Sequence, residues 1–195
     1  MINTVNTAVS TSNGVLAQIG NEGDNPDTVT SIVTVAQMQT IMPAVTGLVA
    51  GNESEYQAYI DANPNSFTSP ATQAEAQAMV TAVNTAVSTS NGVLAQIGNE
   101  GDDPDTVNSV VTVAQMQTIM PAVTGLVAGN ETEYQDYIDA NPDVFSAPAT
   151  SEEVQAMINE VNGVVEIVTN SDDPADGNPS ETDLTNIGIT DVDPE

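Results

Sequence analysis

The side chains in this sequence with ligand or catalytic potential are almost all oxygen donors. Asp172, Asp176, Ser180 and Asp183 fall at the first, fifth, ninth and twelfth places of a twelve-residue stretch, with Gly177 at the sixth. Oxygen ligands at that spacing, around a glycine that permits a sharp turn, partly match a helix–loop–helix calcium site. Pro174 stands at the third place, where Asp or Asn is expected, and the twelfth is Asp rather than the longer Glu. The competing reading is a solvated acidic linker in which Ser180 caps the next helix. Asp24 and Asp27, and again Asp102, Asp103 and Asp105, gather carboxylates in two shorter loops. Acidic residues just ahead of a helix also favour its positive N-terminal end, so these loops have a structural reading as well. All nine residues are candidate ligands for structural calcium.

Other chemistry is excluded by composition. The 195 residues include 28 Asp and Glu but no Lys, Arg, His, Cys or Trp, for a formal charge of −28. An average chain of this length would carry roughly 20 Lys and Arg. Nucleic-acid binding depends on Lys and Arg to displace counterions from phosphate, and anionic lipid makes the same demand. Imidazole bases, thiolate nucleophiles, Schiff-base lysines and Ser-His triads have no residues to build them. A carboxylate pair for glycan hydrolysis remains available. Such sites also want an aromatic-walled groove, and the four Tyr and two Phe recur at matching places in a repeat. The expectation is therefore a protein that is not an enzyme.

Tyr56 with Tyr59, and Tyr134 with Tyr137, have the spacing of a buried helix face, which is preferred over a sugar-stacking platform. Asn52-Glu53-Ser54 and Asn130-Glu131-Thr132 are formal glycosylation sequons, but helix capping accounts for both. No stretch approaches the roughly 18 apolar residues of a membrane span. No basic segment leading into an apolar run opens the sequence, so no secretory signal is read there.

These residues sit in a tandem repeat. Residues 5–79 align without a gap onto residues 83–157, a shift of 78, and 12 of the 75 aligned positions differ. A third repeat begins at Met157 and diverges. The clearest element is a long helix. Thr72 with Glu75, and Thr150 with Glu153, have capping-box spacing. Ala76, Met79, Val80, Val83, Val87, Leu94 and Ile97 then form one helical stripe that runs through Asn91-Gly92. The spacing predicts one helix from Thr72 to Ile97, ending at Gly98. After an acidic loop, Val107, Val110 and Val111 predict a short helix capped by Asp105. A second helix should start at the Thr112/Gln115 box and carry Met116, Ile119, Met120, Val123, Leu126 and Val127. Pro121 should kink or split it, and Gly129 should end it. A last helix, capped by Asn130 with Glu133, should carry Tyr134, Tyr137 and Ile138 and stop before Asn141-Pro142. Residues 182–190 read as a short terminal helix.

The predicted architecture is all-α, with tandem four-helix modules of 78 residues in an elongated array. A β-sandwich array is the rival, but strand alternation is never sustained. The boundaries are expected at 1–70, 71–148 and 149–195, the first module having a truncated helix. Met1 aligns with Met79 in mid-helix. The chain reads as a segment of a longer array, or as a subunit completed by its neighbours.

Pro70-Ala71-Thr72-Gln73-Ala74-Glu75-Ala76, its counterpart Pro148-Ala149-Thr150-Ser151-Glu152-Glu153-Val154, and Asp183-Leu184-Thr185-Asn186-Ile187-Gly188-Ile189-Thr190 resemble repeats of very large secreted surface proteins of Gram-negative bacteria. These are acidic, adhesin-like proteins of the biofilm-associated and repeats-in-toxin type. The resemblance implies an extracellular, cell-surface location, a stalk or adhesive role, and calcium-dependent folding. Neighbouring repeats or like subunits are the expected partners, with a surface or glycan ligand unidentified.

Stability should rise with salt and more steeply with calcium, because the negative charges have no internal cation to offset them. Screening shortens their reach to about 8 Å at physiological ionic strength, and an ion bound to the folded state adds stability by mass action. Thermal melts in chelator, sodium chloride and calcium at matched ionic strength test this. Equal gains from calcium and sodium would show that no specific sites exist.

Overall fold

A computed structural model describes residues 2–24, 33–102, 111–141 and 143–172. Among these residues the protein is all-helical, with no strand. In order come α1 (Ile2–Asp24), α2 (Val35–Met38), α3 (Glu53–Ala62), α4 (Gln73–Asp102), α5 (Val113–Met116), α6 (Glu131–Ala140) and α7 (Ser151–Asp172). Short 3-10 turns stand at Ala50–Asn52, Pro64–Ser66 and Ala128–Asn130. The chain divides into two compact units, Met1–Val87 and Ser88–Glu195. That division falls inside α4, whereas the sequence repeat was divided at the capping turns.

The capping boxes form as their spacing predicts. Thr72 Oγ1 accepts the Glu75 N–H at 3.2 Å, and the Glu75 carboxylate accepts the Thr72 N–H at 2.7 Å. The same carboxylate takes the Thr68 N–H and hydroxyl, tying the incoming loop to the first turn. These bonds, led by the Thr72 N–H, hold Glu75 below the usual carboxylate range. In α7, burial acts to raise Glu153, but the Thr150 N–H and the Ser146 N–H and hydroxyl outweigh it and its pKa is lowered.

The long helix passes through Asn91-Gly92 as expected, but it does not end at Gly98. It continues to Asp102. Gly98 serves close approach. The segment leading into α7 crosses the helix there, and the Ala149 N–H donates to the Leu94 carbonyl at 3.0 Å. A Cβ on Gly98 would stand 2.7 Å from the Ala149 nitrogen and 3.1 Å from the Ala147 Cα. Gly20 does the same in α1, where Ala71 N–H donates to Leu16.

The second expected helix is also corrected. Thr112 and Gln115 form their box, but the helix stops after one turn at Met116. Residues 122–127 have no helical structure. Pro121 lacks the N–H a helix requires. Gly125 has φ 75°, a left-handed conformation that a continuing helix does not contain. The run Met116, Ile119, Met120, Val123, Leu126 and Val127 is therefore no single face. Met116 and Ile119 are buried, while Val127 is exposed. Of the helix predicted around Val107 and Val110, only Val111 is described; it is buried and lies outside any helix. Asp105 and the predicted 182–190 helix lie outside the described residues.

Each unit has its own apolar core, and the two are built alike. In unit 1, Val15, Leu16 and Ile19 of α1 pack with Val33, Val35, Met38, Ile41, Tyr56, Ile60 and Phe67, and with Ala76, Met79, Val80 and Val83 of α4. Each recurs 78 positions on in the core of unit 2, with Val154 for Ala76 and Ile158 for Val80. Fully burying one such Val, Ile or Met contributes about 1.5–3 kcal/mol. A unit thus opens with the later part of one long helix and closes with the first part of the next. α4 contributes Met79, Val80 and Val83 to the first core and Val93, Leu94 and Ile97 to the second.

The glycines allow a contrast within one helix. Gly98→Ala should lower stability by about 1–3 kcal/mol, the usual cost of overpacking. Gly92→Ala should raise it by up to about 1 kcal/mol, since nothing lies within 4 Å of a Cβ there. Urea unfolding of the two variants measures both; equal effects would refute the close-approach role.

Candidate functional site

The expected calcium ligands are only partly placed. Asp24, Asp102 and Asp172 are the last residues of α1, α4 and α7. Asp27, Asp103, Asp105, Asp176, Ser180 and Asp183 lie outside the described residues. Among the described residues no group of three or more carboxylates is placed to hold a metal ion.

The polar chemistry that is placed concerns closure of each unit. Between α2 and α3 the backbone runs from Ile41 to Val49 without helix, so its N–H and C=O groups lack the partners a helix supplies. Side chains from the helices substitute. Met42 N–H donates to the buried Ser12 hydroxyl at 2.8 Å. Gln77 takes the Thr46 N–H at 2.8 Å and donates to the Thr46 carbonyl at 3.1 Å, pairing with both groups as a neighbouring strand would. Val49 N–H donates to the Tyr56 hydroxyl at 3.1 Å.

Asn84 is the centre of this set. Its Oδ1 accepts the Tyr56 hydroxyl at 2.6 Å and the Asn52 amide at 3.0 Å, while its Nδ2 donates to the Gly47 carbonyl at 2.7 Å. Gly47 has φ 75°, which turns that carbonyl toward the helix without the strain a Cβ would bring. In unit 2, Asn162 bonds Tyr134 at 2.6 Å, Asn130 at 2.9 Å and Gly125 at 2.7 Å. Asn52 and Asn130 therefore do not cap α3 and α6 through their side chains, contrary to the sequence reading. Tyr56 and Tyr134 are fully buried, consistent with their reading as core residues. The neighbouring Glu53 and Glu131 carboxylates reach back to the N–H groups of Val35 and Val113, each at 2.7 Å.

Sequence reasoning missed the closing set. Apart from Val49 with Tyr56, its partners are 28 to 37 residues apart, as Tyr56 and Gly47 are from Asn84, so no local spacing marks them. The usable signal was an asparagine set into an apolar stripe, as Asn84 is among Val80, Val83 and Val87, and kept where the third repeat diverges, as Asn162.

Unit 2 also has a groove of about 340 Å³ between α6 and α7, floored by Tyr137, Ala140, Val161, Val164 and Val165 and edged by Glu133, Asp136 and Glu160. Tyr137 stacks edge-on against Phe145, with ring centres 6.4 Å apart, and donates to Glu160 at 2.7 Å. Burial, then the hydrogen bond and charge of Glu160, push its phenol up to about 12. The positions matching Asp136 and Glu160 in unit 1 are Ala58 and Ala82.

Comparison with protein-family models, curated proteins and solved structures finds no match to this chain.

Two outcomes follow from these contacts. Asn162→Ala leaves the Tyr134 hydroxyl, the Asn130 amide and the Gly125 carbonyl without their shared partner. It should destabilise unit 2 by about 1–3 kcal/mol, the cost of removing the partner of the buried Tyr134 hydroxyl, and hydrogen exchange should localise the loss there. Tyr137 gives a pH signature. An unfolded tyrosine ionises near 10 and the folded one at about 12, so only the folded state keeps this proton in that window. Its stabilising effect is complete below pH 10 and is lost as pH rises through 12. Phenolate absorbance during alkaline titration checks this, and Glu160→Gln should shift the transition downward.

Proposed function

We propose that the chain is a non-enzymatic repeat segment, serving as a spacer or adhesive stalk of an extracellular bacterial surface protein. The observation that carries this reading is the double use of α4. One helix supplies the closing residues of one core and the opening residues of the next, so a unit of this kind is extended by adding another rather than by enlarging its core. Near-identity of the repeats supports a role in which number and reach matter, because divergence would be expected if each unit bound a different ligand. The elongated array and structural calcium in the acidic loops belong to the same proposal, as does binding to neighbouring repeats without nucleic-acid or membrane-inserting contacts.

A second reading is a subunit of a self-assembling filament, sheath or surface layer. The sharing of α4 between two cores supports it too, since like chains joined in that register would continue the same packing.

A compact body of this length would have a radius of gyration of about 16 Å. Small-angle scattering at low concentration should give a clearly larger value, and a value near the compact limit would remove the physical support for a stalk. In the native source, a much longer parent polypeptide on a denaturing gel supports the stalk. Filaments whose repeat matches one chain support assembly.

A further inference from the structure

We propose that the groove between α6 and α7 takes an arginine or lysine side chain from a basic segment of another protein. A stalk or a filament subunit could make such a contact alike. The groove has the two parts such a side chain needs. Tyr137, Ala140, Val161, Val164 and Val165 give an apolar floor, and Glu133, Asp136 and Glu160 give a carboxylate edge. Arginine and lysine lay their methylene stems along apolar surface and keep the charged head at a polar rim. A cationic head beside a tyrosine ring gains further from the ring face. The volume of about 340 Å³ is at the small end for ligand pockets, which suits a side chain rather than a helix.

The two helices place this edge. Glu133, Asp136, Tyr137 and Ala140 are spaced by three and four residues, so they share one face of α6. The Tyr137 hydroxyl donates to Glu160 at 2.7 Å and fixes that carboxylate at the groove. An ionised carboxylate accepts more than one donor, so Glu160 can still receive a cation. Unit 1 shows that closing a unit does not require the edge. There Ala58, Ala82 and Ala86 stand for Asp136, Glu160 and Val164, while Tyr59, Val83 and Val87 keep the floor. All three alanines are exposed, so the matching face is open in mid-chain as well. The acidic edge is thus an addition to one of two like bodies.

Charge selects the occupant. A second copy of the chain has no Lys, Arg or His to offer. Residues 173–195 carry seven carboxylates and no basic side chain, so like charge opposes their entry. A free polyamine would satisfy the edge but leave the valines uncovered.

The full-length chain, at physiological salt, is titrated with a blocked pentapeptide of alanine and leucine around a central arginine. Methyl resonances of Val161, Val164 and Val165 report on the groove, and those of Val83 and Val87 give the internal control. The peptide should shift the unit 2 valines saturably, with binding at unit 1 weaker by about tenfold or more. Citrulline for arginine keeps the shape without the charge and should weaken binding by about tenfold. Asp136→Ala with Glu160→Ala should reduce unit 2 to the response of unit 1. Ala58→Asp with Ala82→Glu and Ala86→Val should bring binding to Val83 and Val87, a gain that misfolding cannot produce. Equal shifts in the two units of the native chain would mean that overall charge collects the peptide, and would overturn the groove, as would no shift in either. Equal binding of the citrulline peptide overturns the cation. Spermidine matching the arginine peptide at the same valines overturns the protein partner in favour of a free polyamine. Nuclear Overhauser contacts from Val164 to Leu184 or Ile187 without peptide would show the groove filled by the chain itself, which overturns the proposal too.

Discussion

Each unit is tied together where helix side chains pair with a stretch of backbone that belongs to neither helix nor sheet. Residues 41–49 and 119–127 run along the unit with most of their residues exposed, and several of their N–H and C=O groups pair with helix side chains rather than with neighbouring backbone. The helices answer with neutral side chains: Ser12, Gln77, Asn84 and Tyr56 in one unit, Ser90, Gln155, Asn162 and Tyr134 in the other. Among the described residues no buried side-chain polar atom is left without a partner. The apolar stripes bring the helices to the body, and the amide and hydroxyl contacts fix which rotation and depth are accepted.

Neutral donors and acceptors matter more here than in a chain of ordinary composition. Without Lys, Arg or His, no buried carboxylate can be matched by a cation. Four carboxylates, Glu53, Glu75, Glu131 and Glu153, accept backbone N–H groups near helix starts, and Glu160 accepts the Tyr137 hydroxyl. For the first four, the helix end supplies the partial positive charge that side chains do not. The rest of the polar interior is carried by Asn, Gln, Ser, Thr and Tyr.

The sequence was legible where the physics is local. Thr72 with Glu75, Thr112 with Gln115 and Thr150 with Glu153 are three residues apart, and each cap forms. The stripe from Ala76 to Ile97 has one period and yields one helix. Legibility failed where a local pattern had a distant cause. Gly98 resembled a helix stop because the loop that crosses it comes from some 50 residues later. Met116 to Val127 resembled a helical stripe because apolar residues bound for a core can fall at intervals of three and four without being helical. Pro121 and Gly125 were the contrary signals. Asn130 had the type and place of a cap, but its amide is drawn to Asn162, a long-range contact that no spacing rule contains. The nine candidate calcium ligands were legible as chemistry only; Asp24, Asp102 and Asp172 end helices, and the other six lie outside the described residues.

The sharing of α4 has a genetic consequence. If a unit began and ended at loops, only breakpoints near those loops would leave whole units behind. Here the helix that closes one core opens the next, so what must be kept is the period of 78 residues and not any particular starting residue. An unequal recombination that inserts or deletes one period restores the same helix phase wherever it breaks the coding sequence. Interior units are rebuilt whole. Near-identical repeats are the substrate for such events, which makes the number of units an easily varied property while the fold of each unit is preserved.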